Sequence, residues 1–101
     1  MQDITVLELK ARLDQGETPM IIDVREPWEF EEFNIQGKLI PLSELPGQLD
    51  SLTEYRDSEI IVHCRSGARS ATAKAFLAQQ GFANVRNLLG GMMDWQANFG
   101  G

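Results

Sequence analysis

Two largely apolar segments of strand length, residues 20–24 and 60–63, constrain the fold of this chain most strongly. A strand that is covered on both faces has a nearly continuous apolar sequence, whereas a half-exposed strand alternates apolar with polar residues. We therefore expect both segments to be buried parallel strands. The stretches between them have helical periodicity or turn residues, which indicates an α/β fold with a mostly parallel central sheet and helices on both faces.

The remaining pattern predicts further elements along the chain. In order, they are a short strand at 4–5, a helix at 6–13 ended by Gly16, a helix from 25 closed within 34–37, an edge strand at 39–41, a helical piece near 43–52 with Leu45, Leu49 and Leu52 buried, a strand at 84–89, a short helix at 92–95, and a fraying end at 99–101. The helix after residue 67, ended by Gly81, carries four alanines on one face, which predicts that this face lies against the sheet. These alanines are Ala68, Ala71, Ala75 and Ala78.

Length and charge exclude several classes of function. A chain of 101 residues accommodates one hydrophobic core, so residues 1–101 are predicted to form a single domain. The formal net charge of −6 disfavours nucleic acid as a partner, since a phosphate backbone would be repelled over most of the surface. The sequence contains neither a leader-like start nor an apolar stretch long enough to span a membrane, which predicts a cytoplasmic protein without membrane contact.

Cysteine and histidine occur once each, at the adjacent positions His63 and Cys64. A single cysteine forms no intramolecular disulfide, and neighbouring strand residues point to opposite faces of a sheet. We therefore expect no metal site, and we expect His63 to pack in the interior rather than to act as a base for Cys64. No cofactor is implied.

Cys64 follows the second apolar strand and precedes Arg65, Ser66, Gly67, Ala68, Arg69 and Ser70. A helix start next to two cations lowers the pKa of a thiol and favours the reactive thiolate. The glycine allows the backbone to bend around the sulfur, so that N–H groups converge on a negative charge. The sequence thus predicts Cys64 as a nucleophile, the arginines as groups that hold an anion, and the two serines as hydroxyl donors.

Other polar and aromatic residues are predicted to be structural. Asp23 and Arg25 are expected to tie the end of the first strand to neighbouring backbone, and the acidic cluster Glu26, Glu29, Glu31 and Glu32 is expected to be a solvated helix face. Met92, Met93 and Trp95 are expected to pack the last helix on the sheet. For Trp28, the mouth of a pocket and the core remain alternatives.

Three sequence motifs, in this order, carry a resemblance to a known family. They are residues 23–30 (DVREPWEF), residues 60–70 (IIVHCRSGARS), and Gly81-Phe82 followed by residues 87–92 (NLLGGM) with Trp95. Together they resemble a single-domain rhodanese. The resemblance implies a rhodanese fold and a sulfurtransferase that takes a sulfane sulfur on Cys64 from a donor such as thiosulfate and passes it to cyanide or a thiol.

The spacing from Cys64 to Arg69 is C-x4-R. In this superfamily, the six-residue loop accompanies sulfur transfer, whereas the related phosphatases carry one residue more. Residues 33–38 (FNIQGK) depart from the family pattern G-H-I-x-G-A, so the geometry of residues 33–41 is not implied by the resemblance.

The expected mechanism is a two-step displacement through a persulfide on Cys64. The expected partners are a small-molecule sulfur donor, thiosulfate or a persulfide, and a thiol or cyanide acceptor, with thioredoxin or a sulfur-carrier protein as further candidates. Two alternatives remain open. One is a non-catalytic or persulfide-carrying rhodanese module for a protein partner, and the other is a phosphatase or arsenate-reducing relative.

Overall fold

A computed structural model describes residues 2–100 as one sheet flanked by helices. The helices are α1 (Val6–Asp14), α2 (Pro27–Glu32), α3 (Ala68–Gln79) and α4 (Gly91–Phe99), and a 3₁₀ helix covers Leu42–Tyr55. The strands are β1 (Met20–Asp23), β2 (Lys38–Leu39), β3 (Glu59–His63) and β4 (Asn84–Asn87). They form a parallel sheet in the order β2-β1-β3-β4, which confirms the predicted α/β class.

Both predicted apolar strands occupy the centre of the sheet and are covered on both faces. Ile22, Ile60 and Val62 belong to a core that the 3₁₀ helix and α3 cover, whereas Ile21 and Ile61 belong to a second core beneath α1 and α4. Successive residues of one strand thus enter different cores, because strand side chains alternate between faces. This double burial explains why neither sequence alternates between apolar and polar residues.

The predicted alanine face of α3 is wrong. Ala68, Ala71, Ala75 and Ala78 are exposed, and the buried residues of this helix are Ser70, Ala73 and Leu77. Leucine buries much more apolar surface than alanine, so the one large aliphatic side chain of this helix determines which face packs on the sheet.

The end of the chain also differs from expectation. Met92 and Trp95 are buried as predicted, but Met93 is 53% exposed. Phe99 does not fray, since it lies within α4 and packs edge-on against Trp95 at a centroid distance of 5.0 Å. Residue 101 lies outside the described residues.

Several predicted boundaries shift by a few residues. The strand predicted at 4–5 is a single bridge between Ile4 and Leu88, α2 ends before 34–37 because Phe33 is already extended, and Leu49 is only half-buried. Lys38 and Leu39 form the edge strand, one residue earlier than expected. None of the helices in residues 2–100 has the length and apolar character needed to cross a membrane.

Two alanine substitutions in α3 test which face is buried. Ala73→Leu adds three carbon atoms to a closely packed core, so we expect the free energy of unfolding to fall by about 1–3 kcal/mol. Ala75→Leu places the same side chain in solvent and is expected to change it by less than about 0.5 kcal/mol. Urea denaturation of both variants measures the difference, and equal losses would contradict this orientation of α3.

Candidate active site

Cys64 lies directly after β3, at the edge of the sheet where the carboxyl ends of the parallel strands meet. This edge is where open α/β sheets bind ligands. The Cys64 side chain is only 1% exposed. The sulfur is therefore almost fully enclosed by the protein.

The loop after Cys64 folds around the sulfur and presents hydrogen-bond donors to it. Sγ accepts from the backbone N–H of Gly67 at 3.1 Å and from the backbone N–H of Ser70 at 3.4 Å, and the Ser70 Oγ atom lies 3.4 Å from it. Gly67 has φ of 109°, a left-handed conformation that side-chain-bearing residues adopt only with strain. Of the N–H groups predicted to converge on the sulfur, those of Gly67 and Ser70 lie within hydrogen-bond distance of it.

These donors lower the pKa of the Cys64 thiol. Burial of the sulfur raises the pKa of Cys64, but the Ser70 hydroxyl and the N–H groups of Ser70, Gly67 and Ser66 lower it by more, so the pKa lies below its ordinary value. A hydrogen bond to the charged form favours that form. The site therefore stabilises a thiolate without a neighbouring base.

The first turn of α4 holds the carbonyl side of the same loop. The N–H of Met92 donates to the carbonyl of Cys64 at 3.0 Å, and the N–H of Met93 donates to that of Arg65 at 2.9 Å. The first N–H groups of a helix have no partner within the helix, so these bonds satisfy both elements. With its carbonyls engaged by α4, the loop directs its N–H groups to the sulfur.

Asn87, at the end of β4, is a site residue that the sequence reasoning missed. Its Oδ1 accepts from the Ser70 hydroxyl at 2.6 Å, and its Nδ2 donates to the carbonyl of Gly67 at 3.2 Å. It thus holds the two residues whose N–H groups contact Sγ. The only signal in the sequence was an amide side chain at a strand end next to Gly90-Gly91.

The two arginines of the loop have different surroundings. Arg65 is exposed, whereas Arg69 forms a bidentate ion pair with Glu29 of α2, at 2.7 and 2.9 Å. Glu29 is only 8% exposed, so the expectation that it belongs to a solvated face is wrong. The hydrogen bonds from Arg69 lower the pKa of Glu29 to about 2, which keeps its carboxylate charged.

Asp23 and Arg25 are structural, as predicted. Arg25 donates to both carboxylate oxygens of Asp23 and to the carbonyl of Phe33, and so ties the end of β1 to the residue that follows α2. His63 is fully buried near Asp23, and burial lowers its pKa to about 4. Its imidazole is therefore neutral at ordinary pH.

A cleft of about 620 Å³ opens beside the loop. Its lining residues are Arg25, Glu26, Trp28, Glu29, Glu32, Phe33, Arg65, Arg69, Met92 and Gln96. Trp28 is 61% exposed, which resolves its two alternatives in favour of the mouth of the cleft. Within residues 2–100, no His, Cys, Asp and Glu side chains cluster in a way that could hold a metal ion.

The lowered pKa of Cys64 predicts rapid reaction with an alkylating agent at neutral pH. We expect the pH midpoint for modification by iodoacetamide to be lower in the folded protein than in the same chain unfolded in urea, because the loop donors are lost on unfolding. Rates measured between pH 5 and 10 give both midpoints. Coincident midpoints would contradict the role of the loop donors.

Gly91 tests the contact between α4 and the loop. A Cβ atom here would overlap the Cys64 carbonyl oxygen and would lie 2.7 Å from that of Arg65. We expect Gly91→Ala to lower the free energy of unfolding by at least about 2 kcal/mol, since it adds this overlap to left-handed strain, and to slow alkylation of Cys64.

Gly47→Ala is the matched control, because no atom lies within 4 Å of its Cβ position. We expect urea denaturation of this variant to resemble the wild type. A stable Gly91→Ala protein with unchanged alkylation would contradict the importance of this contact.

Comparison with known proteins identifies the family. The family model for the rhodanese-like domain matches residues 5–98. A sulfurtransferase of Allochromatium vinosum is 35% identical over 94% of this chain and 88% of its own length. A Bacillus subtilis protein, YrkF, named for a sulfur-carrier role, is 38% identical over 92% of this chain and 50% of its own length.

A solved structure agrees with this sequence evidence. The crystal structure of a rhodanese-related protein from Thermoplasma volcanium superposes with a TM-score of 0.83 at 31% identity, and covers 98% of this chain and 94% of that one. Family, relatives and geometry at the end of β3 agree, and relatives named sulfurtransferase or sulfur carrier support a role in rhodanese-type sulfur transfer. The chain belongs to the rhodanese-like domain family.

Proposed function

We propose that this protein is a sulfurtransferase that carries sulfur as a persulfide on Cys64, with thiosulfate or a thiol persulfide as donor and a thiol or cyanide as acceptor. The observation that carries this proposal is the set of donors from Gly67 and Ser70 around Sγ. Donors around one buried sulfur stabilise a thiolate, and the same donors would stabilise negative charge on a sulfur bonded to it.

In the first step, the Cys64 thiolate attacks the outer sulfur of the donor. The electron pair of the thiolate forms the new S–S bond while the donor's own bond to that sulfur breaks. With thiosulfate the leaving group is sulfite, and with a thiol persulfide it is the thiolate, which departs with the bonding pair. No oxidant or reductant is consumed, and no cofactor is required.

In the second step, the acceptor attacks the outer sulfur of the Cys64 persulfide. The S–S bond breaks and returns its electron pair to Cys64, which regenerates the thiolate. Cyanide becomes thiocyanate, and a thiolate becomes a persulfide. His63, neutral and fully buried, takes no part, because neither step needs a base once the thiolate is formed.

The loop residues divide the remaining work. The donors around the sulfur come from the backbone N–H groups of the loop, which are those of Arg65, Ser66, Gly67, Ala68, Arg69 and Ser70. The Ser70 hydroxyl binds Asn87 and so fixes the position of the Ser70 N–H. Exposed Arg65 is the cation best placed to meet a negatively charged donor in the cleft. Arg69 contributes through its ion pair with Glu29.

The name of the Bacillus subtilis relative supports a protein as one of the two partners. A sulfur-carrier protein or thioredoxin would present its reactive group at the end of a chain or on a loop. The cleft beside Cys64, with exposed Trp28 at its mouth, is open to such a group. We propose this partner class together with the small-molecule donors, and the cytoplasm as its location.

Mass spectrometry of the intact protein tests the proposal. After exposure to thiosulfate or a thiol persulfide, we expect the wild type to gain one sulfur atom, about 32 Da, and to lose it on addition of cyanide. Cys64→Ser replaces only the sulfur, so we expect its fold to be retained and both the mass gain and thiocyanate formation to be abolished.

The control for this experiment is urea denaturation, which shows whether the Cys64→Ser variant is folded. Persistent sulfur transfer by the variant, or a wild type that gains no sulfur from any donor, would overturn the proposal. Turnover of an aryl phosphate by the wild type, lost in Cys64→Ser, would favour the phosphatase alternative instead.

A further inference from the structure

The cleft beside Cys64 is unusual for an anion-binding site because its charges cancel. Its lining contains three arginines, Arg25, Arg65 and Arg69, and three glutamates, Glu26, Glu29 and Glu32. Arg25 is further neutralised by Asp23, with a separation of 2.8 Å. A thiolate on Cys64 adds another negative charge. A donor that is itself an anion therefore meets a site without net positive charge.

The ion pair between Arg69 and Glu29 contributes directly to this cancellation of charge, because one residue of each sign is held against the other. Each terminal nitrogen of the guanidinium donates to one carboxylate oxygen, and Glu29 Oε1 also accepts from the N–H of Glu26 at 3.0 Å. The carboxylate is mostly buried at the start of α2 and is held by three donors. Its negative charge is thus a fixed part of the cleft rather than a mobile surface charge.

We propose that Glu29 is a specificity-determining residue that makes the cleft favour sulfur donors with a neutral or positively charged group next to the reacting sulfur, such as cationic thiol persulfides, over small anions such as thiosulfate. This inference rests on the proposed function of Cys64. It explains the choice of donor by electrostatics in the cleft, because Glu29 neutralises the positive charge of Arg69.

The chemistry is the same for each donor and differs only in charge. The Cys64 thiolate attacks the outer sulfur of R–S–SH, the S–S bond breaks, and R–S⁻ leaves with its electron pair. An ammonium group on R is attracted by the fixed negative charge of Glu29. A carboxylate on R, or the sulfonate oxygens of thiosulfate, is repelled by the same charge.

The persulfides of cysteamine and 3-mercaptopropionate form a matched pair of donors, since they have similar size and opposite charge. We expect the wild type to form the Cys64 persulfide with a higher kcat/KM from the cysteamine donor. Glu29→Gln keeps the shape of the side chain and removes its charge. We expect it to shift the ratio of the two kcat/KM values by about tenfold towards the anionic donor, as for loss of one charge a few ångströms away.

Two further variants separate charge from structure. Glu29→Asp keeps the negative charge, and we expect it to keep the wild-type order of donors. Glu32→Gln removes an exposed glutamate from the same cleft, and we expect it to change the ratio by less than about twofold because water and salt screen that charge. Kinetics with thiosulfate should follow those of the 3-mercaptopropionate donor.

The outcomes separate this inference from the proposed function. A wild type that forms no persulfide with any donor would refute the function of Cys64. Two other results would overturn the role of Glu29 and leave the function of Cys64 intact. One is a Glu29→Gln variant that forms the persulfide with an unchanged ratio of the two kcat/KM values, including an equal fall of both. The other is a shift of this ratio in Glu32→Gln as large as that in Glu29→Gln. A selective gain for the anionic donor, confined to Glu29→Gln, supports it.

Discussion

The hydrogen bonds from the Gly67 and Ser70 N–H groups to Cys64 Sγ are the interaction on which the site depends. They require a loop that turns these N–H groups towards the sulfur, and the carbonyls of Cys64 and Arg65 then face α4. Backbone carbonyls that are buried without partners are costly in free energy, so this turn is stable only where another element donates hydrogen bonds to them. The first turn of α4 does so at Cys64 and Arg65. The last helix of the chain is thus as necessary to the nucleophile as the loop itself.

Further hydrogen bonds fix the positions of the loop residues that contact Sγ. Asn87 joins Ser70 to Gly67, and its own N–H donates to Asp3 at 2.9 Å. On the side of the cleft, Glu29 holds Arg69. The loop around the thiol is therefore held by groups contributed by β4, α2, α3 and α4. Such support keeps the donors in position around the sulfur, as the proposed transfer steps require.

Much of the architecture was predictable from residue patterns. Local rules predict the two apolar strands, the position of Cys64 at a strand end and the turn at Gly67. Burial and a left-handed backbone conformation each restrict the residue types that can occupy a position. The face of α3 was not predictable from its alanines, since small side chains carry too little burial energy to orient a helix. The exposure of Met93 beside buried Met92 likewise depends on how α4 sits against the loop.

The sequence by itself determined the class of the fold, and it predicted the candidate nucleophile and the loop that surrounds it, because all three depend on residues close together in the chain. Tertiary structure decided what the polar side chains do. Glu29 and Arg69 are 40 positions apart, and Asn87 is 17 positions from Ser70. Their contacts arise only when parallel strands bring their carboxyl ends to one edge of the sheet. Local patterns therefore predicted a reactive cysteine, and the fold added the carboxylate that sets the charge of its cleft.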